Sequence, residues 1–347
     1  MTTNKGTLIA VCDARVERVN DAPNNIDLAM KRSFDNGRTW SPLQIIKDYP
    51  GQEAAGDPCL LVDRQTGTIW VFFDYIIPVE GFDVGQAEHF KKASDFDNIR
   101  KIWLYAMKSD DEGETWSEPI DLTPVLKNPE WDYLAAAPGI GIQAQNGRLL
   151  VPTYSKQFNI EIDRCHLIYS DDHGETWKIG GEIGEYNVEP QVVELIDGSL
   201  LMNMRQTKHR GHRMYAISKD MGQIWHDIVD ETALPEPGAG CQASLIRHTD
   251  KNDGYLKNRL LFSNPASTEG RLNMTVRVSY DEGKTWIYSK TLHKGPSAYS
   301  CMTVLPDGSI GILYERGEKS TRNLITFARF TLEWLTNGKD KLTFFKK

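Results

Sequence analysis

The stretch Ser33-Phe34-Asp35-Asn36-Gly37-Arg38-Thr39-Trp40 decides the fold, because four relatives of it follow. They are Ser109-Asp-Asp111-Glu-Gly113-Glu-Thr115-Trp116, Ser170-Asp-Asp172-His-Gly174-Glu-Thr176-Trp177, Ser218-Lys-Asp220-Met-Gly222-Gln-Ile224-Trp225 and Ser279-Tyr-Asp281-Glu-Gly283-Lys-Thr285-Trp286. Only the fourth departs from Ser-x-Asp-x-Gly-x-Thr-Trp, with Ile224 for Thr. Asp and Ser bond nearby backbone amides in a turn, Gly supplies a positive φ, and Trp leaves the turn to cover the gap between neighbouring strands. Each copy therefore predicts a hairpin tip.

Successive copies start 76, 61, 48 and 61 residues apart, which suits a supersecondary unit repeated around a ring with loops of varying length. A second repeat, a turn ending in Gly before an apolar run, occurs at Gly6-Thr-Leu-Ile-Ala, Gly67-Thr-Ile-Trp-Val, Gly147-Arg-Leu-Leu-Val, Gly198-Ser-Leu-Leu-Met and Gly308-Ser-Ile-Gly-Ile. Asn258-Arg-Leu-Leu-Phe completes six units. Short strands divided by Gly, Asn and Asp turns, with few long amphipathic helices, give an all-β chain. The expectation is a six-bladed β-propeller of four-stranded antiparallel sheets, with the tryptophan turn in five blades.

A closed ring is one cooperative unit, so residues 1–347 are expected to form a single domain, and a monomer is expected. A net charge of -8 and the lack of a basic run argue against a nucleic-acid partner. No apolar run approaches the length of about 18 residues needed for a membrane span. The five cysteines (Cys12, Cys59, Cys165, Cys241, Cys301) show no metal spacing and read as unpaired thiols in strands. His89, His166, His173 and His212 show none either, and no metal or cofactor is expected.

Propellers bind ligands at the mouth of the central channel, so polar groups that interrupt strand-like runs are the candidates for function. They are Cys12-Asp13-Ala-Arg15 with the polar loop Val16–Asn25, Asn187-Val-Glu189-Pro-Gln191, Met202-Asn-Met-Arg205, Glu269-Gly-Arg271-Leu-Asn273 and Ser297-Ala-Tyr299-Ser300. An ionised group in an apolar strand is costly unless paired, so Glu189 and Arg205 require partners or a ligand.

Together with the repeated turns, these segments resemble the bacterial-type sialidases (exo-α-neuraminidases) of glycoside hydrolase family 33, whose Asp boxes the turns match. The resemblance covers essentially the whole chain. It implies a retaining exo-sialidase acting on sialylated glycans, with a sialic-acid-binding lectin or a trans-sialidase as alternatives. It implies Tyr299 as nucleophile, Glu189 as the acid that accepts its proton and Asp21 as general acid/base, with Asp13 and Asp27 competing for that last role. Arg205 and Arg271 match two arginines of a carboxylate-binding triad, since a guanidinium fork bonds a carboxylate bidentately and stays charged. Arg15 and Asp57 match pocket residues near O4 and the N-acetyl group, and Glu315 the acid that orients the first triad arginine.

A sialoside carries a carboxylate on its anomeric carbon, so an anionic nucleophile is repelled where a neutral phenol is not. A phenol of pKa about 10 needs a base to attack at neutral pH. The resemblance also implies a first arginine, in an Arg-Ile-Pro segment upstream of Gly6. The sequence starts five residues before Gly6, so a domain lacking that segment is expected, with Arg18, Lys5 or Arg316 as conceivable substitutes. Losing one of three carboxylate contacts would cost roughly 1.5 to 3 kcal/mol. The resemblance implies action on extracellular glycans, hence a secreted, cell-surface or periplasmic protein, although Met1-Thr-Thr-Asn-Lys-Gly6 reads as the start of a turn and not as a signal peptide. The segment Ile77–Asp95, rich in Phe and charge, is expected either to rim the site or to be an ordinary surface insertion.

Overall fold

The computed structural model describes residues 1–79, 100–157, 162–208 and 210–344. The Ile77–Asp95 extension falls outside the described residues from position 80 onward, as does His89.

The strands form six antiparallel blades in chain order. Blade one holds Leu8–Arg15, Ile26–Ser33 and Gln44–Lys47, and blade two holds Ala54–Val62, Ile69–Pro78, Arg100–Ser109 and Ile120–Asp121. In blade three the short segments Trp131–Ala136 and Ile142–Gln143 share the inner edge of Leu149–Gln157, followed by Asp163–Ser170 and Lys178–Ile179. Blade four is Asn187–Glu194, Leu200–Gln206, His212–Ser218 and His226–Pro235. The long strand Tyr288–Val304 serves two blades. Its first half closes blade five after Ser244–Thr249, Arg259–Pro265 and Leu272–Ser279; its second half opens blade six before Ile310–Arg316 and Leu324–Phe330.

The core lies between blades. Ile69, Trp70, Val71, Phe72 and Phe73 are all buried, although strand residues alternate between faces. Ile69, Val71 and Phe73 pack with Ile9, Leu28 and Met30 of blade one. Trp70 and Phe72 pack with Leu134, Val151 and Trp177 of blade three. A blade sandwiched on both faces thus needs continuous apolar strands, each fully buried side chain contributing about 1.5 to 3 kcal/mol.

Each Asp box closes on itself and then on the preceding blade. In the first box, Ser33 Oγ donates to Asp35 Oδ1 at 2.9 Å and accepts from Gly37 N at 2.9 Å, while Thr39 donates to Asp35 through N at 2.9 Å and Oγ1 at 2.6 Å. The Thr39 bonds, side chain first, hold the Asp35 carboxyl down at about 2. The residue before the glycine is left-handed too: Asn36, Glu112, His173, Met221 and Glu282 all have φ between 59° and 62°. The repeated glycine has a further reason, since a Cβ on Gly37 would lie 2.1 Å from the Phe327 ring and one on Gly174 would lie 2.3 Å from Trp70. Gly113 likewise sits over Met30, Gly222 over Leu167 and Gly283 over Leu201, each one blade back.

The first box therefore closes the ring onto blade six, where Trp40 meets Phe327 edge-on at 5.2 Å and Thr2 Oγ1 bonds Thr303 Oγ1 at 2.8 Å. Blade six has no box, and a C-terminal segment stands in its place against blade five. After the short helix Leu332–Leu335, Asp340 receives Arg259 through Nε at 2.7 Å and Nη2 at 2.9 Å, and Tyr280 Oη at 2.6 Å. Asp340 thus does for the last blade what the box does elsewhere: a carboxylate satisfied by local donors holds the hairpin end against the neighbouring blade.

Candidate active site

Three inner strands share one irregularity. Pairing shifts register between Gly56 and Cys59 in blade two, between Val188 and Gln191 in blade four, and between Ser297 and Ser300 in blade six. The bulged residues include Asp57, Glu189 and Tyr299. A bulge adds an unpaired residue and re-aims its side chain. Asp57 at φ 53° and Glu189 at φ 44° lie in the left-handed region, at a cost of about 1 to 3 kcal/mol each.

Those charges converge. The Tyr299 hydroxyl donates to Glu189 Oε1, and Arg205 Nη1 donates to Glu189 Oε2 at 2.7 Å and to the Tyr299 oxygen at 3.2 Å. Arg205 is fixed from behind by Nε donating to Ala239 O at 3.0 Å. The Arg271 guanidinium lies over the Tyr299 ring at 5.4 Å, and its one hydrogen bond among the described residues is a long 3.4 Å contact to Gly240 O. Glu315 Oε2 accepts the Tyr299 backbone N–H at 3.2 Å. Burial, followed by the Glu189 charge, pushes the Tyr299 phenol well above its ordinary range. Burial also pushes Glu315 up, against the Tyr299 N–H and the positive charges of Arg271, Arg15 and Arg322.

A second group flanks this triad of side chains. Asp13 Oδ1 accepts the Asp57 N–H at 3.0 Å, and Arg15 Nη2 lies 3.8 Å from Asp13 and 3.7 Å from Asp21. Asp57 is driven far up by burial first and then by the charges of Asp13, Asp74, Asp21 and Glu189. Asp13 is pushed up to about 6, chiefly by burial. Asp21 stands at the rim with a half-exposed side chain, its Oδ1 accepting from Ala22 N at 3.0 Å.

All eight residues expected from the sequence, Asp21, Glu189, Tyr299, Arg205, Arg271, Arg15, Asp57 and Glu315, thus face one another. Of the two competitors of Asp21, Asp13 is buried against Asp57, whereas Asp27 is hydrogen-bonded to Asp48. Arg18 donates to Pro23 O and Gln52 Oε1, and Arg316 Nε to Thr326 Oγ1. Lys5 is exposed in the turn before Gly6.

Two features were not anticipated. Arg322 enters the group from the loop after Ile310–Arg316, the strand that follows Gly308; the loops after the corresponding strands Leu8–Arg15 and Arg259–Pro265 hold Asp21 and Arg271, and that correspondence was the available signal. Beneath Arg205, the wholly buried Arg213 bonds Glu236 Oε2 at 3.1 Å, Asn203 Oδ1 at 2.8 Å and Cys241 O at 2.7 Å, while Glu236 Oε1 accepts from Gln206 N at 2.9 Å. All five cysteines are unpaired. Among the described residues no cluster of three metal-ligating side chains occurs. A cavity of about 420 Å³ lined by Lys127, Trp131, His166 and Glu182 contains none of the converging charges.

Comparison with known proteins bears on the family and the fold. The family model of the BNR repeat-like domain matches residues 6–312. A sialidase of Bacteroides fragilis is 36% identical over 328 residues, covering 91% of this chain and 58% of that protein. An exo-alpha-sialidase of Aspergillus fumigatus is 30% identical, covering 97% of this chain and 83% of that protein. Among solved structures, the Hadza microbial sialidase Hz136 superposes with a TM-score of 0.83 at 35% identity, covering 96% of this chain and 65% of that one.

Proposed function

This chain belongs to the bacterial-type sialidases, and from that premise we propose that it is a retaining exo-sialidase that removes terminal α-linked sialic acid from glycoconjugates. The observation that carries the reading is the Tyr299 hydroxyl held between Glu189 and Arg205, with Arg271 over its ring. Such an arrangement suits attack by a neutral phenol on a carbon that bears a carboxylate.

In this reading Arg205 and Arg271 bind the substrate carboxylate through charge-assisted hydrogen bonds. Tyr299 Oη attacks the anomeric carbon as its proton passes to Glu189 Oε1. Asp21 gives a proton to the departing glycosidic oxygen, so the bond to the aglycone breaks as the bond to tyrosine forms. Water, deprotonated by Asp21, then attacks the same carbon from the opposite face, and the phenolate leaving group regains its proton from Glu189. Two inversions give retention. Asp57, Asp13 and Arg15 line the part of the pocket remote from the carboxylate. The raised pKa values of the two acids keep a hydroxyl donor available for the sugar's polar groups at mildly acidic pH.

The test is release from a fluorogenic sialoside by the wild type and by Tyr299→Phe, with the product followed by proton NMR. Free sialic acid appearing first as the α anomer, with release lost in Tyr299→Phe, is the expected result. Binding without release would make the protein a lectin, and appearance of a transferred or internally cyclised product would make it a trans-sialidase.

A further inference from the structure

The bulges that carry Asp57, Glu189 and Tyr299 all rejoin their blades against one stretch of backbone, Pro138-Gly139-Ile140, which joins the two inner segments of blade three. Gly139–Ile140 pairs in parallel with Cys59 and Leu60, where blade two resumes its register after Asp57. Gln191, where blade four resumes after Glu189, donates through Nε2 to Pro138 O at 3.3 Å. Gln242, at the entry to blade five, donates through Nε2 to the same carbonyl at 3.0 Å. Its Oε1 accepts the N–H of Ser300 at 2.9 Å, and Ser300 is where blade six resumes after Tyr299. Both glutamine side chains are buried, so a lost bond would strand a polar group away from water. Gly139 makes the approach possible: its φ is 140°, and a Cβ there would lie 2.8 Å from the Gln191 amide oxygen. Ile140 packs against the apolar cluster of blades one and two and against that of blades five and six, which seats the stretch across the channel.

We infer that Gln242 and Gln191 are positioning residues that use Pro138 O as a common reference to align Tyr299 with Glu189 across the channel; the inference rests on the sialidase reading above, in which that alignment sets the proton transfer. Each acts through backbone, Gln242 on the amide that follows Tyr299 and Gln191 on the strand two residues beyond Glu189. Two bulges on blades that are not neighbours thereby share one fixed point. Arg205 and Arg271 take their own bonds, to Ala239 O and Gly240 O, and do not depend on the Pro138 carbonyl. Loss of the glutamine bonds therefore acts on the attack by Tyr299 and leaves ground-state binding of the substrate's carboxylate in place.

Gln242→Met and Gln191→Met keep the bulk of each side chain and remove its hydrogen bonds. For both variants and their combination, kcat on a fluorogenic sialoside is measured beside the calorimetric affinity for 2-deoxy-2,3-didehydro-sialic acid. A misplacement approaching 1 Å predicts a kcat about tenfold to a hundredfold lower in Gln242→Met, with affinity for the analogue within about threefold of the wild type. Because both side chains act through one carbonyl, the double variant should lose less than the product of the two single losses. A kcat within about twofold of the wild type would overturn the inference, as would analogue affinity falling in step with kcat, which would make the glutamines a scaffold for the whole pocket. Losses that multiply would exclude the shared reference point. If Gln242→Met does not fold, the same kcat and affinity criteria apply to Gln191→Met. Wild-type turnover keeps the sialidase reading intact in every one of these cases, whereas a wild type that releases no sialic acid removes both.

Discussion

Tyr299 and Glu189 stand on blades six and four, which are not neighbours in the ring, yet the phenol of one donates to the carboxylate of the other. The contact crosses the channel, and both partners reach it from β-bulges. Arg205 touches both oxygens from within blade four. In the mechanism proposed above, the proton that Tyr299 must lose already points at its acceptor, and burial with the Glu189 charge raises the phenol well above its ordinary range.

Glu189→Gln preserves the shape of the pair and an acceptor for the phenol but cannot take its proton. Removal of a general base costs about 10²–10⁴-fold in kcat, and KM should rise as well because Arg205 loses its charged partner. Steady-state rates on a fluorogenic sialoside check this, and near-normal kcat would exclude Glu189 as the base. Ultraviolet titration of phenolate should also show the Tyr299 ionisation moving down toward the ordinary tyrosine range in the variant.

Asp13 should leave a signature in stability against pH. Its folded pKa of about 6 lies above the unfolded value of about 4, so between those values the folded state holds a proton that the unfolded chain has released. This contribution is fully present below pH about 4 and is lost as pH rises through about 6. Asp13→Asn keeps the bond from Asp57 N–H without the ionisation. Melting temperatures from pH 4 to pH 7 should therefore fall less in the variant than in the wild type; parallel curves would refute the assignment.

The fourth Asp box offers a gain. Ile224 N donates to Asp220 Oδ1 at 2.9 Å as in the other boxes, but the hydroxyl bond to the second carboxylate oxygen has no donor. Ile224 is exposed, so Ile224→Thr supplies that donor without emptying the core. A stabilisation of about 0.5 to 1.5 kcal/mol is expected in urea unfolding, with activity unchanged. A loss of stability would mean that the isoleucine packs usefully in this turn.

Arg213 supports the site from beneath, and its removal should affect folding before chemistry. Arg213→Ala leaves Glu236 buried without its cation, a loss of about 3 to 5 kcal/mol, measurable as a lower urea midpoint. A change below 1 kcal/mol, on the order of a surface pair, would contradict the burial of this pair.

Much of the ring is legible in residue order because each Asp box is a local object: every bond inside Ser33–Trp40 spans four residues or fewer. The site charges are legible for a related reason, since Glu189 and Arg205 interrupt apolar strands where an unpaired charge would be costly. What stays hidden depends on contacts between distant segments. Asp340 replaces the sixth box only because Arg259 and Tyr280, some eighty and sixty positions earlier, fold against it. Arg322 reads as an ordinary loop arginine until Val19, at the other end of the chain, is brought beside it. The left-handed backbone at Asp57 and Glu189 carries no glycine to announce it.

Rapid quenching of a slow sialoside substrate, followed by intact-mass measurement and peptide mapping, tests the central claim most directly. The account predicts a transient adduct of one sialosyl residue on the peptide that carries Tyr299, absent in Tyr299→Phe. Sialic acid release without any adduct, or an adduct on another residue, would contradict it.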